Sequence, residues 1–266
     1  MQAPGVMPAI VLDDSQFGNS VNMISLLELL NQMQVCPCGA CPYFPDREET
    51  LRALRCPGLP NHLHAELMVR GYRHSGDIFY VPECGSCDKC ISMRISPEAF
   101  KISKKQRRIV RKNCDVDIVL NVPSYSDEKY EIYRRYMAYQ HPNSPQSVER
   151  EQFVRSFYNR LPSSAEIEYR LGSRIVGVTF ADIIPCEALS SVYHFFDPDY
   201  AHRSIGVFSV VAEILMCRMY EIPWYYIGYW IPGCRKMEYK SQYRPCEFFV
   251  DGQWVDGDSV LSKYEK

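Results

Sequence analysis

The sequence has no long hydrophobic run and almost no net charge. No apolar stretch reaches the roughly 18 residues that a membrane-spanning helix requires, so we expect no membrane partner. The N-terminus lacks the basic region of a secretory signal, and Asp13 and Asp14 interrupt the apolar stretch behind it, which predicts a cytoplasmic protein. The formal net charge of −2 gives no overall attraction for nucleic acid, so such a partner requires a local patch of charge.

The composition excludes a disordered chain and favours a folded α+β protein. Of the 266 residues, 46% are hydrophobic and 23% are charged, as is typical of globular proteins. Gly172 and Ser173 form a hairpin signal between two strand patterns. We predict a cysteine-rich domain over residues 1–110 and a second domain over 111–266. The patterns predict helices over 20–34, 62–69, 100–113, 128–139, 148–158 and 204–220, strands over 78–81, 116–122, 166–171, 175–184, 190–196, 224–229 and 247–250, and loops over 35–60.

The cysteines fall into two groups that suggest a metal site. Twelve cysteines without a signal peptide indicate a reducing compartment, where grouped cysteines hold metal more often than they form disulfides. One C-x-x-C turn ends at Cys41 and two overlapping turns span residues 84–90, and zinc or a four-iron cluster accepts four such thiolates. Independent reduced thiols and a redox pair are the alternatives. The predicted ligands are Cys38, Cys41, Cys87 and Cys90, with Cys84 or Cys36 as substitutes.

A basic segment follows the second cysteine group. Residues 101–112 carry seven positive charges and no acid. A localised patch of this kind attracts a phosphate backbone and releases its counterions. A solvated helix face is the alternative explanation for such a run. The predicted nucleic-acid contacts are Lys101, Lys104, Lys105, Arg107 and Arg108.

The second half contains the most specific motifs. Residues 228–240 form the run GYWIPGCRKMEYK, and residues 189–200 form LSSVYHFFDPDY. In the first half, CPYFPDR at 41–47, RGYR at 70–73 and the cysteines of 84–90 complete the set. Together these motifs closely resemble the aminoacyl-tRNA–protein transferases of the N-degron pathway. The nearest type is the bacterial aspartate/glutamate leucyltransferases, which are related to the arginyl-tRNA–protein transferases.

The resemblance implies an activity and a fold. Such enzymes move an amino acid from its charged tRNA onto the α-amine of a protein that begins with Asp or Glu, which marks that protein for degradation. The resemblance also implies a GNAT-like (acetyltransferase-like) second half and a cysteine-rich N-terminal domain that binds metal or an iron–sulfur cluster. The run at 228–237 is nearer the leucyl type, so leucine is the expected donated residue. The run at 189–200 is nearer the arginyl type, so arginine is the alternative.

The chemistry of this reaction suggests roles for individual residues. The aminoacyl ester is already activated, so the enzyme must orient an amine, stabilise an oxyanion and move protons. Asp197, Glu238 and a water relay are candidates for the general base. The predicted catalytic residues are Tyr229, Arg235, Lys236, Lys240 and Tyr243. The predicted substrate-binding residues are Tyr193, Arg203, Ser204, Trp230 and Tyr239, and the basic segment is the predicted tRNA-binding surface.

Two other functions are compatible with parts of the sequence. A non-catalytic, metal-stabilised RNA-binding adaptor would explain the cysteines and the basic segment, but not the tyrosines and cations between 229 and 244. An acetyl-CoA-dependent N-acetyltransferase would need a glycine-rich loop at a helix start. Only Gly206 stands at the corresponding place, so we expect no acetyl-CoA.

Overall fold

The fold combines two β-sheets with helices that pack against them, which confirms the α+β class. A computed structural model describes residues 25–142 and 148–264 of the chain. The helix predicted over 20–34 is present as α1 (Leu26–Gln32), and Ser25 is its N-cap. The start of that prediction lies outside the described residues. In the described ranges, no helix is both long enough and apolar enough to cross a membrane.

The smaller sheet is antiparallel and has the strand order β1-β2-β4-β3. Its strands are β1 (Gln34–Ala40), β2 (Glu48–Arg55), β3 (Arg73–Ser75) and β4 (Ile78–Pro82). Together with α1 and α2 (Asn61–Val69) it encloses a small apolar core that includes Leu29, Leu63 and Phe79. The predicted helix at 62–69 and the predicted strand at 78–81 are therefore confirmed.

The prediction of loops over 35–60 is wrong, because β1 and β2 fall within that range. The prolines of this stretch suggested a loop. However, β1 is an edge strand, and its pairing with β2 shifts register between Pro37 and Gly39. Proline has no backbone N–H to donate. An edge strand tolerates it because one side of the strand has no neighbouring strand to bond to.

The larger sheet has eight strands in the order β12-β11-β5-β10-β9-β8-β7-β6. It confirms the strands predicted between residues 116 and 250, and the turn at Gly172 joins two of them as a hairpin. The pairs are antiparallel except for β9 with β10. The strands are β5 (Ile91–Ile95), β6 (Asp117–Asn121), β7 (Ser164–Leu171), β8 (Arg174–Ile184), β9 (Ala188–Phe196), β10 (Trp224–Trp230), β11 (Glu247–Val250) and β12 (Gln253–Asp256).

Strand β5 crosses the domain boundary that the sequence predicts at residue 110. It begins directly after Cys90, yet it lies between β11 and β10 in the larger sheet. The sheet is therefore built from both predicted domains, 1–110 and 111–266. The strand gave no clear sequence signal because it is short and buried on nearly every residue, and so lacks polar alternation.

The remaining helices cover the larger sheet. The longest, α6, is apolar on most sides because it packs against β8, β9 and β10 and also contacts α3. The helices predicted over 100–113, 128–139, 148–158 and 204–220 are confirmed with small changes in their ends. They are α3 (Lys104–Lys112), α4 (Asp127–Gln140), α5 (Arg150–Phe157) and α6 (Ile205–Met219), and two short helices follow, α7 (Arg235–Glu238) and α8 (Gly257–Leu261).

A buried carboxyl group anchors α6 to the sheet. Glu213 accepts hydrogen bonds from the hydroxyls of Tyr169 at 2.8 Å, Thr179 at 2.7 Å and Tyr225 at 2.7 Å. Burial raises the pKa of Glu213. The three donors come from β7, β8 and β10, so one side chain connects α6 to three strands and satisfies its own buried oxygens.

The parallel strands β9 and β10 separate soon after they pair. Only Trp224–Tyr226 of β10 and Ala188–Ser190 of β9 form ladder pairs, although both strands continue. On its other side, β10 has a register shift against β5 between Tyr226 and Gly228. Gly228 has φ of +90°, a backbone conformation that residues other than glycine rarely adopt. The strands therefore leave a gap in the sheet at this point.

We expect the packing of α6 to dominate stability. Ile214 is fully buried, and Ile214→Ala should lower the free energy of unfolding by about 2–5 kcal/mol, because it leaves a cavity in the core. Its neighbour Leu215 is 37% exposed, and Leu215→Ala should change the same quantity by about 1 kcal/mol or less. Urea unfolding of both variants measures the difference. Equal losses would contradict this placement of the helix.

Candidate active site

Two adjoining cavities lie where β9 and β10 separate. The larger, of about 420 Å³, is bounded by the end of α4, by β9, by the start of α6 and by α7. The smaller, of about 40 Å³, is lined by residues of β3, β4, β9 and β10. Tyr43 and Met237 line both, so these two side chains form the wall between the cavities.

The larger cavity offers cations, aromatic rings and imidazole nitrogens of His141 and His194 that have no hydrogen-bond partner among the described residues. Arg235 and Lys236 line it together with Tyr239. His194 also lines it, and its Nδ1 lies 2.9 Å from the hydroxyl of Thr179. That hydroxyl gives its only hydrogen to Glu213, so it accepts one from Nδ1 and leaves Nε2 as an acceptor. Nε2 of His194 is buried and has no hydrogen-bond partner in the structure.

The smaller cavity contains a completely buried lysine beside an arginine. Nζ of Lys240 donates to the carbonyl oxygen of Tyr229 at 2.7 Å. Burial, reinforced by the charge of Arg73, lowers the pKa of Lys240 well below its ordinary value. The two groups converge on Gly228, where a Cβ atom would lie 3.3 Å from Nζ of Lys240 and 3.4 Å from Nη2 of Arg73. Glycine is therefore needed here for space as well as for backbone conformation.

Arg73 carries a charge without a carboxylate partner. Its Nη1 donates to the hydroxyl of Ser190 at 2.8 Å, and its Nη2 donates to the carbonyl oxygen of Ser191 at 2.6 Å. Within the described ranges, no ion pair joins it to an acidic side chain. A guanidinium that faces a cavity and has no acidic partner is suited to bind an incoming carboxylate.

Four tyrosines line the smaller cavity, namely Tyr43, Tyr80, Tyr193 and Tyr229. Burial raises the pKa of Tyr80 to about 12 and that of Tyr229 well above its ordinary value. Both hydroxyls therefore stay protonated and can donate. The Tyr229 hydroxyl already donates to the carbonyl oxygen of Gly71 at 3.3 Å. These rings exclude water from the cation pair and strengthen its electrostatic effect.

The structure brings seven of the ten predicted catalytic and substrate-binding residues to the cavities. The larger cavity is lined by Ser204, Arg235, Lys236 and Tyr239, and the smaller by Tyr193, Tyr229 and Lys240.

The other three predicted residues line neither cavity. Arg203 pairs with Asp115 at 2.8 Å on the surface. Trp230 packs against Phe248, so its ring is not available for stacking on a base. Tyr243 is fully buried in the main core. The structure therefore does not bring these three side chains to the cavities, because side-chain direction within a motif depends on packing.

The two candidate general bases are also engaged elsewhere. Asp197 accepts from the backbone N–H of Asp199 and pairs with Arg135 at 3.0 Å. Glu238 accepts from the backbone N–H of Gly233 at 2.8 Å. The sequence prediction missed Arg73, although the run at 70–73 was part of the resemblance. Only the pairing of β3 with β4 and the position of Ser190 show where its side chain lies.

The basic segment forms an exposed helix that leads to the larger cavity. All five predicted contacts, from Lys101 to Arg108, are exposed, whereas Gln106 is buried and holds the helix start through Ser103. At its other end, Lys112 donates to the carbonyl oxygen of His202 at 2.5 Å. His202 is two residues before Ser204, which caps α6 and lines the larger cavity, so the end of the basic helix lies near that cavity.

Three other cysteines neighbour Cys90, which packs against Tyr43 and Tyr80 of the smaller cavity. Burial, followed by the neighbouring thiols of Cys41, Cys84 and Cys87, raises the pKa of Cys90. Cys38 instead neighbours Cys36 and Cys84, and burial raises its pKa to about 11. All of these thiols are free, and in the described residues no three of their sulfurs lie within 4.8 Å of one another. Their donor chemistry fits zinc or an iron–sulfur cluster.

Comparison with known proteins agrees with this arrangement. The family model for the N terminus of arginine-tRNA-protein transferases matches residues 39–108, and the model for their C terminus matches residues 128–250. The aspartate/glutamate leucyltransferase of Pseudomonas paraeruginosa is 37% identical over 218 residues, which cover 81% of this chain and 92% of that protein. The enzyme of the same name from Pseudomonas putida is 36% identical over 219 residues, with the same coverage.

A solved structure shows only a distant likeness. L-PGS from Bacillus licheniformis gives a TM-score of 0.42 at 12% identity, over 63% of this chain and 49% of that one. The two family models, by contrast, include both sides of the site. They span the residues of the smaller cavity from Tyr43 to Lys240 and the cysteines from Cys41 to Cys90, whereas Cys36 and Cys38 precede the match. This chain belongs to the aminoacyl-tRNA–protein transferase family.

Proposed function

We propose that this protein transfers leucine from leucyl-tRNA to the α-amine of proteins that begin with Asp or Glu. The name of the relatives supports the choice of substrates. The observation that carries the proposal is Arg73, a cation without an acidic partner among the described residues, beside the buried amine of Lys240. Such a pair can bind a carboxylate and accept a proton in one small cavity.

Arg73 recognises the acidic side chain of the acceptor. Its bonds to Ser190 and Ser191 fix the guanidinium plane, so little side-chain entropy is lost when a carboxylate binds. Binding also supplies the counter-charge that the cavity lacks. Asparagine or glutamine at the same place would leave the guanidinium without its counter-charge, and this difference supports selectivity for acids.

Lys240 removes a proton from the acceptor amine. A free α-amine has a pKa of about 8 and enters mainly as an ammonium, so it must lose a proton before it can attack. Burial beside Arg73 lowers the pKa of Lys240 well below its ordinary value, which favours the unprotonated amine that can take that proton. The amine nitrogen then bonds to the ester carbonyl carbon. As the bond to the ribose oxygen breaks, a second amine proton passes to that oxygen.

The larger cavity receives the aminoacylated end of the tRNA. Arg235 and Lys236 would neutralise terminal phosphates, and Tyr239 offers a ring for the adenine. Nε2 of His194 can accept from the adenine amino group. The separated parallel strands with α6 between them support the GNAT-like fold that the resemblance implies.

The cysteines behind the cavity would hold zinc or an iron–sulfur cluster. The neighbours of Cys90 support Cys41, Cys84, Cys87 and Cys90 as the proposed ligands, with Cys84 in place of the predicted Cys38. When bound, the group would cross-link two chain segments. Tyr43 and Tyr80 pack in one cluster with Cys90 and line the smaller cavity, so they lie between these ligands and the active site. The metal-binding residues would therefore fix the positions of Tyr43 and Tyr80.

The function is tested by transfer from separately charged leucyl- and arginyl-tRNA. We expect leucine to be attached to peptides that begin with Asp or Glu, and not to those that begin with Asn or Ala. Arg73→Gln should lower kcat/KM for the Asp peptide by roughly 10- to 150-fold, because charged hydrogen bonds are lost.

Arg70→Gln is the matched control, since Arg70 pairs with Glu66 on the surface. A structural defect would lower kcat/KM equally for all peptides. Loss of recognition would instead lower the ratio of kcat/KM for the Asp peptide to kcat/KM for the Asn peptide. Transfer from arginyl-tRNA alone would overturn the choice of leucine. Binding of tRNA without any transfer would favour the adaptor.

The basic helix should contribute electrostatic affinity for tRNA. Arg108→Ala should weaken tRNA binding and reduce the slope of log affinity against log salt by about 0.7–0.9, because one phosphate contact is lost. Lys263→Ala, at an exposed position in the last turn of the described chain, is the control and should leave the slope unchanged. Filter binding at several salt concentrations measures both. An unchanged slope for Arg108→Ala would contradict this interface.

Metal content distinguishes the two cysteine sets. After anaerobic purification, Cys84→Ser and Cys90→Ser should each lose the bound zinc or iron, whereas Cys38→Ser should retain it. Cys114→Ser is the control, because Cys114 is exposed and far along the chain from both groups. Elemental analysis per chain gives the result. Loss in Cys38→Ser and retention in Cys84→Ser would restore the set predicted from sequence.

A further inference from the structure

Two histidines and an aspartate meet away from the cysteines, where the smaller sheet packs on the larger. His64 lies on α2, His74 on β3 and Asp182 on β8, and none of the three side chains is more than 8% exposed. Nε2 of His74 lies 2.6 Å, and Nε2 of His64 lies 3.9 Å, from Oδ2 of Asp182. The three donor atoms all lie within 4.8 Å of one another. The proposed transfer reaction does not use them.

The outer nitrogen of each imidazole is held by its own partner. Nδ1 of His74 lies 2.8 Å from the carbonyl oxygen of Gly76, which can only accept, so this nitrogen carries a hydrogen. Ser163 gives its hydrogen to Oδ1 of Asp182 at 3.1 Å, so it accepts one from Nδ1 of His64 at 3.0 Å. Both Nε2 atoms therefore face the same carboxylate. Histidines that bind metals are oriented by an outer hydrogen bond in this way.

One proton now joins two of the three groups. Because Nε2 of His74 lies at hydrogen-bond distance from a carboxylate oxygen, it carries a hydrogen that Asp182 accepts. Nε2 of His64 carries a lone pair and has no hydrogen to donate to Asp182. A cation that replaces the proton on His74 would meet two imidazole nitrogens and one carboxylate oxygen.

We propose that His64, His74 and Asp182 form a zinc site, with water in the fourth position. Two imidazoles and one carboxylate are a common donor set for zinc, and nitrogen donors disfavour magnesium and calcium. A cavity of about 20 Å³ beside His74 and Asp182 has room for one water molecule. Binding of the ion releases the proton from Nε2 of His74 into solvent.

The ion would fasten the smaller sheet to the larger one. It would link α2 and β3 to β8. Strands β3 and β8 belong to different sheets and are not paired with each other. Arg73 directly precedes His74 on β3, and its guanidinium reaches Ser190 on β9. The zinc site therefore would position β3 and, through it, Arg73. This role depends on the positions of the three ligands and does not require the proposed transfer reaction.

Zinc content tests the proposal. The full-length protein is loaded with Zn²⁺, freed of excess metal, and its zinc is counted per chain by elemental analysis. His74→Arg should lose one zinc ion per chain but keep its fold, because the guanidinium can replace the imidazolium beside Asp182. His62→Arg, two residues before His64 on the same helix, is the control and should retain the full count.

Cobalt separates this site from the cysteine site. The difference spectrum of cobalt-loaded wild type minus His74→Arg should lack the sulfur-to-cobalt charge-transfer band that thiolate ligands produce. His64→Asn provides a second variant, because its amide can keep the bond to Ser163 while the metal ligand is removed. Equal zinc counts in the wild type and both folded variants would overturn the proposal. The contact between His74 and Asp182 would then be an ordinary hydrogen bond.

Discussion

The short ladder between β9 and β10 is the feature on which the rest of the site depends. Only three residue pairs join these parallel strands, and α6 connects them. The register shift at Gly228 turns β10 toward β5, so the strands separate and leave backbone and side chains facing a gap. Both cavities form in that gap. Because the core on either side is closely packed, the gap has a defined shape, as a site for two substrates requires.

Electrostatic strain in the smaller cavity follows from this geometry. A lysine with no exposed surface has lost its hydration, and the nearby guanidinium of Arg73 disfavours its charge further. The carbonyl oxygen of Tyr229 compensates only in part, as a single acceptor. The proposed acidic acceptor would supply the missing negative charge when it binds. The cations that would receive it are already in place before binding.

The layers around the cavity would hold this arrangement in place. The cysteine group lies behind Tyr43 and Tyr80, and the pair of histidines with Asp182 lies behind β3. With a metal bound, each would cross-link segments that are distant in sequence, and each lies next to a residue of the smaller cavity. The smaller sheet has a modest core of its own. Metal ions at these two places would add the rigidity that so small a core supplies only weakly.

Much of the molecule was determined by the sequence alone. Hydrophobic periodicity located most helices and strands. The clearest examples are α4, which buries one face, and α6, β8 and β9, which bury most of their residues. The motifs determined the family, and the basic segment determined where phosphates would be attracted. Local patterns failed where the signal was short or carried proline, as in β1 and β5.

Only the tertiary structure decided which motif residues face the cavities. Lys240 and Tyr243 are three residues apart, yet one lines the smaller cavity and the other is buried in the main core. Arg73 became a site residue because β3 pairs with β4 and brings the guanidinium to Ser190, which lies more than a hundred positions later in the chain. Such contacts depend on the packing of two sheets. Spacing along the chain does not contain that information, because side-chain direction is set by neighbours that are distant in sequence.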